Sequence, residues 1–145
     1  MLSKDWTLLV IAARGGGALQ PVHLQKILFL ISEQLSSGQL GTKEFYEFFP
    51  YDYGPFCVEV YSDAELLERN GLVHIDQPPL LSYRLYSATE NGIAEAKRLK
   101  EGLEPNVSSY LDRLVDNVSK LSFRQLVNAV YKAYPRMKVN SVFQE

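Results

Sequence analysis

The residues of this sequence that could carry out chemistry are few and widely spaced. Its two histidines, His23 and His74, lie 51 positions apart, and neither begins a metal-ligand pattern, whereas a zinc site needs three or four convergent ligands. The single cysteine, Cys57, has no C-x-x-C partner, so a buried, inert thiol is expected. Folding could still bring His74 to Cys57, because a nucleophile and its base need not be neighbours in sequence.

Two further patterns favour structure over catalysis. The glycine run 15–17 precedes a predicted helix, whose N-terminus can bind phosphate, but the run lacks the spacings of known phosphate loops. The acids Asp63, Glu65 and Glu68 are typical of a solvated helix face. We therefore predict no catalytic residue, no metal site and no cofactor, and a protein that is not an enzyme.

Residues 49–56, FPYDYGPF, crowd aromatic rings and one acid against a Gly-Pro pair, and could form either a ligand cage or a corner. The residue before a proline is disfavoured in helices, and glycine tolerates the dihedral angles of sharp turns. Proline also favours the first position of a helix. We predict that Gly54 and Pro55 end an extended segment and open a helix over 55–70, so a structural corner is favoured over a cage.

Hydrophobic periodicity and capping residues predict the other helices. A uniformly apolar segment predicts a buried helix over 5–13, with Ser3 as its N-cap and the glycine run as its end. Pro21 opens a helix over 21–36 whose polar strip is narrow, and residues 36–43 are predicted to be a loop. The polar strip consists of Gln25, Lys26 and Glu33.

The second half of the chain continues this pattern. Residues 72–76 and 80–86 predict a two-stranded hairpin, in which alternation places Leu81 and Leu85 on the buried face and Tyr86 on the other. Three helices follow, marked by further signals. These are a Ser87–Glu90 capping box before 88–101, an apolar stripe from Val107 to Val118, and a Ser122–Gln125 capping box before a helix that ends at Pro135.

This element order predicts a mainly α (α+β) fold. Three helices, a two-stranded wing and a further helix are the order of a winged helix-turn-helix, here with two extra C-terminal helices. We expect one domain over residues 1–145, with the helices and wing in 1–101 and a helical extension and tail in 102–145.

The runs LQKILFLISEQL, FFPYDYGPFCVEVYSDAELLERNGLV and YRLYSATENGIAEAKRL resemble small bacterial winged-helix proteins of the uncharacterised YwgA type. More distantly the chain is similar to the SocA-like antitoxin domain called Panacea, which carries an LQKLLYF-like helix and a YGP before a helix. The resemblance implies a prokaryotic winged-helix fold. For the antitoxin branch it implies a role in binding a partner protein, such as a cognate toxin, and it transfers no catalytic residue. The matching positions are Leu24, Gln25, Lys26, Leu28, Phe29, Tyr53, Gly54 and Pro55.

Charge separates two functional hypotheses. Residues 1–96 hold 6 Lys/Arg against 12 Asp/Glu, whereas residues 97–145 hold 9 against 5. The predicted recognition helix, 55–70, is acidic, and duplex DNA binding depends on Lys and Arg contacts to phosphate. We therefore favour a regulatory or protein-interaction module over the alternative, a DNA-binding regulator. The alternative would use Arg84, Arg113, Lys120, Arg124, Lys132, Arg136 and Lys138.

The candidate partner-binding residues come from the corner, the acidic helix and the tail. Tyr51 and Tyr53 alternate around Asp52 and are predicted to point to one side, away from it. The tail carries three apolar residues that some surface should cover. Docking on the chain's own core and exchange with a second subunit to form a homodimer both stay open. The candidates are Tyr51, Tyr53, Glu59, Asp63, Val139, Val142 and Phe143.

Composition limits the class of protein. The chain has 145 residues, 46% of them hydrophobic and 22% charged, as in ordinary globular domains. Its apolar runs are far shorter than the ~20 residues of a membrane span. The single cysteine and the absence of a signal-peptide pattern predict a cytoplasmic protein with no membrane partner.

Overall fold

The computed structural model describes residues 1–143. Within them the chain forms seven α-helices, one short 3-10 helix and two antiparallel two-stranded sheets, which confirms a mainly helical α+β fold. No helix among residues 1–143 combines the length and apolarity needed to cross a membrane. The elements are α1 (Ser3–Ala12), α2 (Pro21–Gln34), α3 (Ser37–Leu40), β1 (Phe49–Tyr51), β2 (Gly54–Phe56), α4 (Val58–Arg69), β3 (Val73–Asp76), β4 (Leu85–Ala88), α5 (Glu90–Glu101), α6 (Pro105–Ser119), α7 (Phe123–Ala133) and a 3-10 helix (Pro135–Lys138).

Helices α1 and α2 form the centre of the hydrophobic core, as their apolar runs predict. The predicted cap of α1 is wrong, because Ser3 lies inside the helix and its hydroxyl donates to the Glu44 carbonyl oxygen at 2.9 Å. The Asp5 carboxylate instead accepts a hydrogen bond from the Leu2 N–H at 2.8 Å. Acidic side chains suit this position because the first N–H groups of a helix lack intrahelical partners.

The short helix α3 lies inside the segment predicted to be a loop. Ser36 caps it by accepting from the Gln39 N–H, and the Gln39 side chain accepts from the Ser36 N–H. This S-x-x-Q pattern is a capping box. The indole Nε1 of Trp6 donates to the Leu40 carbonyl oxygen at 2.9 Å and fixes the short helix against α1.

The corner at residues 49–56 is a β-hairpin, and α4 begins three residues later than predicted. Gly54 and Pro55 belong to strand β2, which pairs with β1 so that Tyr51 lies opposite Gly54. Helix α4 starts at Val58, with Cys57 as its N-cap. The helix is followed by Gly71, whose φ of 77° is the left-handed conformation that commonly ends helices.

The wing-like hairpin β3–β4 is placed differently from its prediction. Strand β4 covers 85–88 instead of 80–86, and Tyr86, predicted to face away from the core, is 2% exposed. The reason is an isolated bridge in which the backbone groups of Leu19 and Tyr86 exchange hydrogen bonds of 2.8 and 2.9 Å. This bridge fixes the register of β4 from the α1–α2 loop, which lies far away in sequence.

Helix α5 begins with a different cap from the predicted one. Thr89, not Ser87, caps it by accepting from the Gly92 N–H at 3.0 Å. Gly92 then lies against the chain before β3, since a Cβ atom built there would fall 1.9 Å from the Leu72 carbonyl oxygen. Only glycine permits this approach.

Helices α6 and α7 follow the sequence closely. The predicted stripe of α6 is buried at Val107, Leu111, Val115 and Val118. The Ser122–Gln125 capping box of α7 is also confirmed. The apolar faces of both helices therefore pack against the same core as the N-terminal helices.

Candidate functional site

A cleft beside the β1–β2 hairpin has a volume of about 540 Å³, within the range of ligand sites. We call it the aromatic cleft because aromatic side chains from four parts of the chain line it. The hairpin, α4, the loop before β4 and the start of α7 supply them. The rings are those of Tyr51, Tyr53, Phe56, Tyr61, Tyr83 and Phe123.

Ring contacts hold the cleft wall in place. Tyr51 stacks on Phe56 with ring centroids 5.4 Å apart, and Phe56 meets Tyr61 edge to face at 5.6 Å. Tyr53 meets Phe123 edge to face at 5.1 Å. Such aromatic pairs stabilise packing beyond the area they bury. The wall is thus preorganised by rings from separate elements.

The corner is therefore structural and also lines a cleft. Asp52 and Tyr53 occupy the turn of the hairpin, so the alternation of an extended strand does not apply to them. Tyr51, Asp52 and Tyr53 all line the aromatic cleft, which corrects the prediction that the two tyrosines point away from the acid. Tyr51 and Tyr53 are exposed by 57% and 45%, and both are available to a ligand.

Two polar residues of α2 hold the hairpin on the core. Gln25 exchanges two hydrogen bonds of 2.9 Å with the backbone N–H and carbonyl oxygen of Cys57. The Lys26 ammonium donates to the Pro55 carbonyl oxygen at 3.1 Å. Both side chains are buried, so the idea that they form a polar strip of α2 is wrong. Sequence reasoning missed this role because amphipathic patterning assigns polar residues to solvent.

Burial gives Lys26 an unusual ionisation. Removal from water penalises the charged amine and lowers the pKa of Lys26 from 10.5 to about 8. The side chain also lines the aromatic cleft. An amine in this state is a functional-site candidate, because shifted pKa values concentrate at such sites.

Helix α7 also supports the hairpin, through Tyr131 beside Gly54. Gly54 has a φ of 100°, and a Cβ atom built on it would lie 3.1 Å from Tyr131 Cε1. The position therefore requires glycine both for its backbone conformation and for the close ring.

The tail residues 139–143 run along the hairpin of the same chain. The Val142 N–H donates to the Asp52 carbonyl oxygen at 2.9 Å, and the Asn140 amide donates to the Pro50 carbonyl oxygen at 3.2 Å. Tyr131 donates to the Ser141 hydroxyl oxygen at 2.6 Å.

The apolar side chains of the tail are unequally covered. Phe143 is partly buried and its ring lies 5.9 Å from that of Phe123 and 6.5 Å from that of Tyr131. Val139 and Val142 stay exposed by 74% and 61%. Backbone and polar contacts, more than apolar burial, therefore hold the tail against the hairpin.

The acidic helix α4 uses several of its carboxylates inside the fold. Asp63 accepts a hydrogen bond of 2.5 Å from the Tyr46 hydroxyl, which also lies 2.8 Å from Thr7 Oγ1. Burial, with the Asp63 carboxylate beside it, raises the pKa of Tyr46. Glu68 accepts from the Ile75 N–H at 2.8 Å. Of the two acidic candidates, Glu59 is exposed whereas Asp63 is half-buried and engaged.

Several of the seven candidate DNA-binding cations contact other side chains. Three form ion pairs: Arg84 with Glu65 at 3.2 Å, Lys120 with Asp116 at 3.0 Å, and Arg136 with Glu33. Arg124 lies over the Phe143 ring and Lys138 over the Tyr131 ring. Arg113 and Lys132 are exposed on α6 and α7.

The histidines and the cysteine occupy separate environments. His74 is exposed on β3, whereas Cys57 is buried and burial raises the pKa of its thiol. His23 is buried and its Nε2 lies 2.8 Å from the Leu121 carbonyl oxygen, while its Nδ1 has no partner within residues 1–143. The same range contains no group of three metal-ligating side chains.

No protein-family model matches the chain, and the search of curated proteins found no match either.

Proposed function

We propose that this chain is a non-enzymatic regulatory or protein-interaction module, similar in role to an antitoxin, and that its partner docks in the aromatic cleft. One observation carries the proposal: rings from four parts of the chain converge on a cleft in which Tyr51, Tyr53 and Phe123 stay more than a third exposed. Exposed aromatic clusters are costly in water and typical of interaction sites.

A winged-helix architecture is part of this proposal. Helices α1, α2 and α4 precede the antiparallel pair β3–β4, in the order that the motif requires. The backbone bridge between Leu19 and Tyr86 adds a third short strand position to that pair, which supports the assignment of β3–β4 as the wing.

We place the partner surface at the aromatic cleft and not on the acidic face of α4. Asp63 is engaged by Tyr46 and contributes to the fold, so the acidic face of α4 is a weaker candidate than the cleft. Val139 and Val142 remain exposed on the tail that borders the hairpin, and we place them at the edge of the docking surface.

The alternative, a DNA-binding regulator, has less support. Arg84, Lys120 and Arg136 are already paired with carboxylates, and α4 carries several acids where a recognition helix needs cations. We expect no sequence-specific duplex binding at ~150 mM salt. Sub-micromolar binding to one sequence, measured by fluorescence anisotropy, would favour the alternative.

Capture of the partner from the source organism, followed by affinity measurement with the purified pair, tests the main proposal. Tyr53→Ala and Phe123→Ala should each weaken binding by about tenfold or more, as expected for aromatic hot spots. Leu80→Ala is the control, because Leu80 is 97% exposed and lies outside the cleft. Equal affinity of all three variants would place the partner surface elsewhere.

A further inference from the structure

Lys26 is a buried cation without a counter-charge. Its side chain is part of the aromatic cleft, and the residue is 4% exposed. The Pro55 carbonyl oxygen, 3.1 Å from Nζ, accepts one hydrogen bond, whereas an ammonium group has three donors. No carboxylate of residues 1–143 forms an ion pair with this amine.

A buried ammonium group without a counter-charge destabilises the fold unless a ligand supplies that charge. Buried charges in proteins are normally paired, because an uncompensated charge away from water is strongly destabilising. With a pKa of about 8, the amine is still about nine-tenths protonated at pH 7. The lining of the same cleft includes one acid, Asp52, which lies exposed in the hairpin turn and leaves the Lys26 charge uncompensated.

We propose that Lys26 receives the C-terminal carboxylate of a partner polypeptide, whose last side chain packs among the rings of the aromatic cleft. This inference rests on the proposed function, in which the cleft is the docking site. A carboxylate supplies the missing counter-charge and accepts the ammonium's remaining hydrogen bonds.

The shape of the site favours a chain end over other carriers of a carboxylate. The cleft of about 540 Å³ is of the size that holds a small ligand and not a folded surface. Because Lys26 is almost fully buried, only a narrow group reaches it. A chain end can enter such a cleft without an onward chain that would have to leave it again.

Two peptide probes test the proposal in NMR titrations of ¹⁵N-labelled full-length protein. N-acetyl-Leu-Phe with a free carboxylate should shift the amide signals of Tyr53, Gly54 and Phe123. The same dipeptide with a C-terminal amide should bind about tenfold more weakly or worse, because a charge-assisted hydrogen bond is lost. Lys26→Met should abolish this discrimination, and Lys132→Met, on the exposed face of α7, should retain it.

Other outcomes of these titrations would each contradict a different part of the proposal. Equal binding of acid and amide in the cleft would overturn the role of Lys26 and leave the cleft as a docking site. Binding of 3-phenylpropionate more tightly than the peptide acid would replace the chain end by a small organic acid. Absence of shifts with all three probes would overturn this inference, while the partner-affinity variants Tyr53→Ala and Phe123→Ala would still decide the proposed function.

Discussion

The side-chain amide of Gln25 pairs with the backbone of Cys57 as another strand would, with its Oε1 accepting from the N–H and its Nε2 donating to the carbonyl oxygen, both at 2.9 Å. The pairing joins α2 to the residue that caps α4, across 32 positions of sequence. Together with the Lys26–Pro55 contact, it sets the depth at which the hairpin lies and hence the wall of the aromatic cleft.

Gln25→Met should lower the free energy of unfolding by about 2 kcal/mol or more. The methionine fills a similar volume but leaves the buried N–H of Cys57 without its partner, which costs about 1–3 kcal/mol. The Cys57 carbonyl oxygen loses the Gln25 amide and keeps only the Val60 N–H at 3.2 Å. Urea denaturation measures the change. Gln20→Met is the control, since the Gln20 side chain makes no capping hydrogen bond, and an equal loss in both variants would contradict the prediction.

Gly54→Ala should destabilise the protein by about 1 kcal/mol or more. Alanine is strained at a φ of 100°, and its Cβ atom would press on the Tyr131 ring at 3.1 Å. Thermal melts compare this variant with Gly16→Ala, where a Cβ atom meets nothing within 4 Å. An unchanged melting temperature with lost partner binding would instead make Gly54 a binding residue.

Lys26 should make stability depend on pH in the alkaline range. Its pKa in the folded protein, about 8, lies below the ordinary value of 10.5, so the unfolded chain holds more protons between these values and stability rises with pH there. Relative to Lys26→Met, the wild type should gain about 3 kcal/mol across this window.

Comparing the wild type with Lys26→Met cancels the contribution of other groups that ionise at alkaline pH. Burial raises the pKa values of Tyr61 and Tyr110 to about 12, and their ionisation affects both proteins equally. Urea denaturation at several pH values gives the difference directly. Lys132→Met removes an exposed ammonium and should follow the wild-type curve, whereas a pH-independent gap between wild type and Lys26→Met would refute the burial argument.

Deletion of residues 139–145 should lower stability by about 1–2 kcal/mol at unchanged molecular mass. The reason is loss of the hydrogen bonds from Val142 and Asn140 to the hairpin backbone and of the Ser141 contact to Tyr131. Light scattering and thermal melts measure both quantities. A shift from dimer to monomer would show that the tail instead crosses to a second subunit.

Local sequence signals determine much of the helical framework. The stripe of α6 and the Ser122–Gln125 box of α7 succeed because helix periodicity and capping depend on residues three or four positions apart. The Gly71 stop likewise follows from the backbone freedom of a single residue.

Only the tertiary structure decides the register of the sheets and the location of the cleft. Tyr86 is buried because Leu19 pairs with its backbone, and α4 starts at Val58 because Pro55 pairs across the hairpin with Pro50. Local hydrophobic periodicity predicts neither of these two pairings.

The residues of the aromatic cleft are likewise predicted only in part from the sequence. The sequence alone singles out the aromatic corner at residues 49–56 and makes Tyr51 and Tyr53 candidates. It assigns Gln25 and Lys26 to solvent, because hydrophobic patterning treats polar side chains as exposed. Folding reverses that assignment, since buried backbone groups of β2 and Cys57 need hydrogen-bond partners, and the polar side chains that satisfy them come from a helix about 30 residues earlier in the chain.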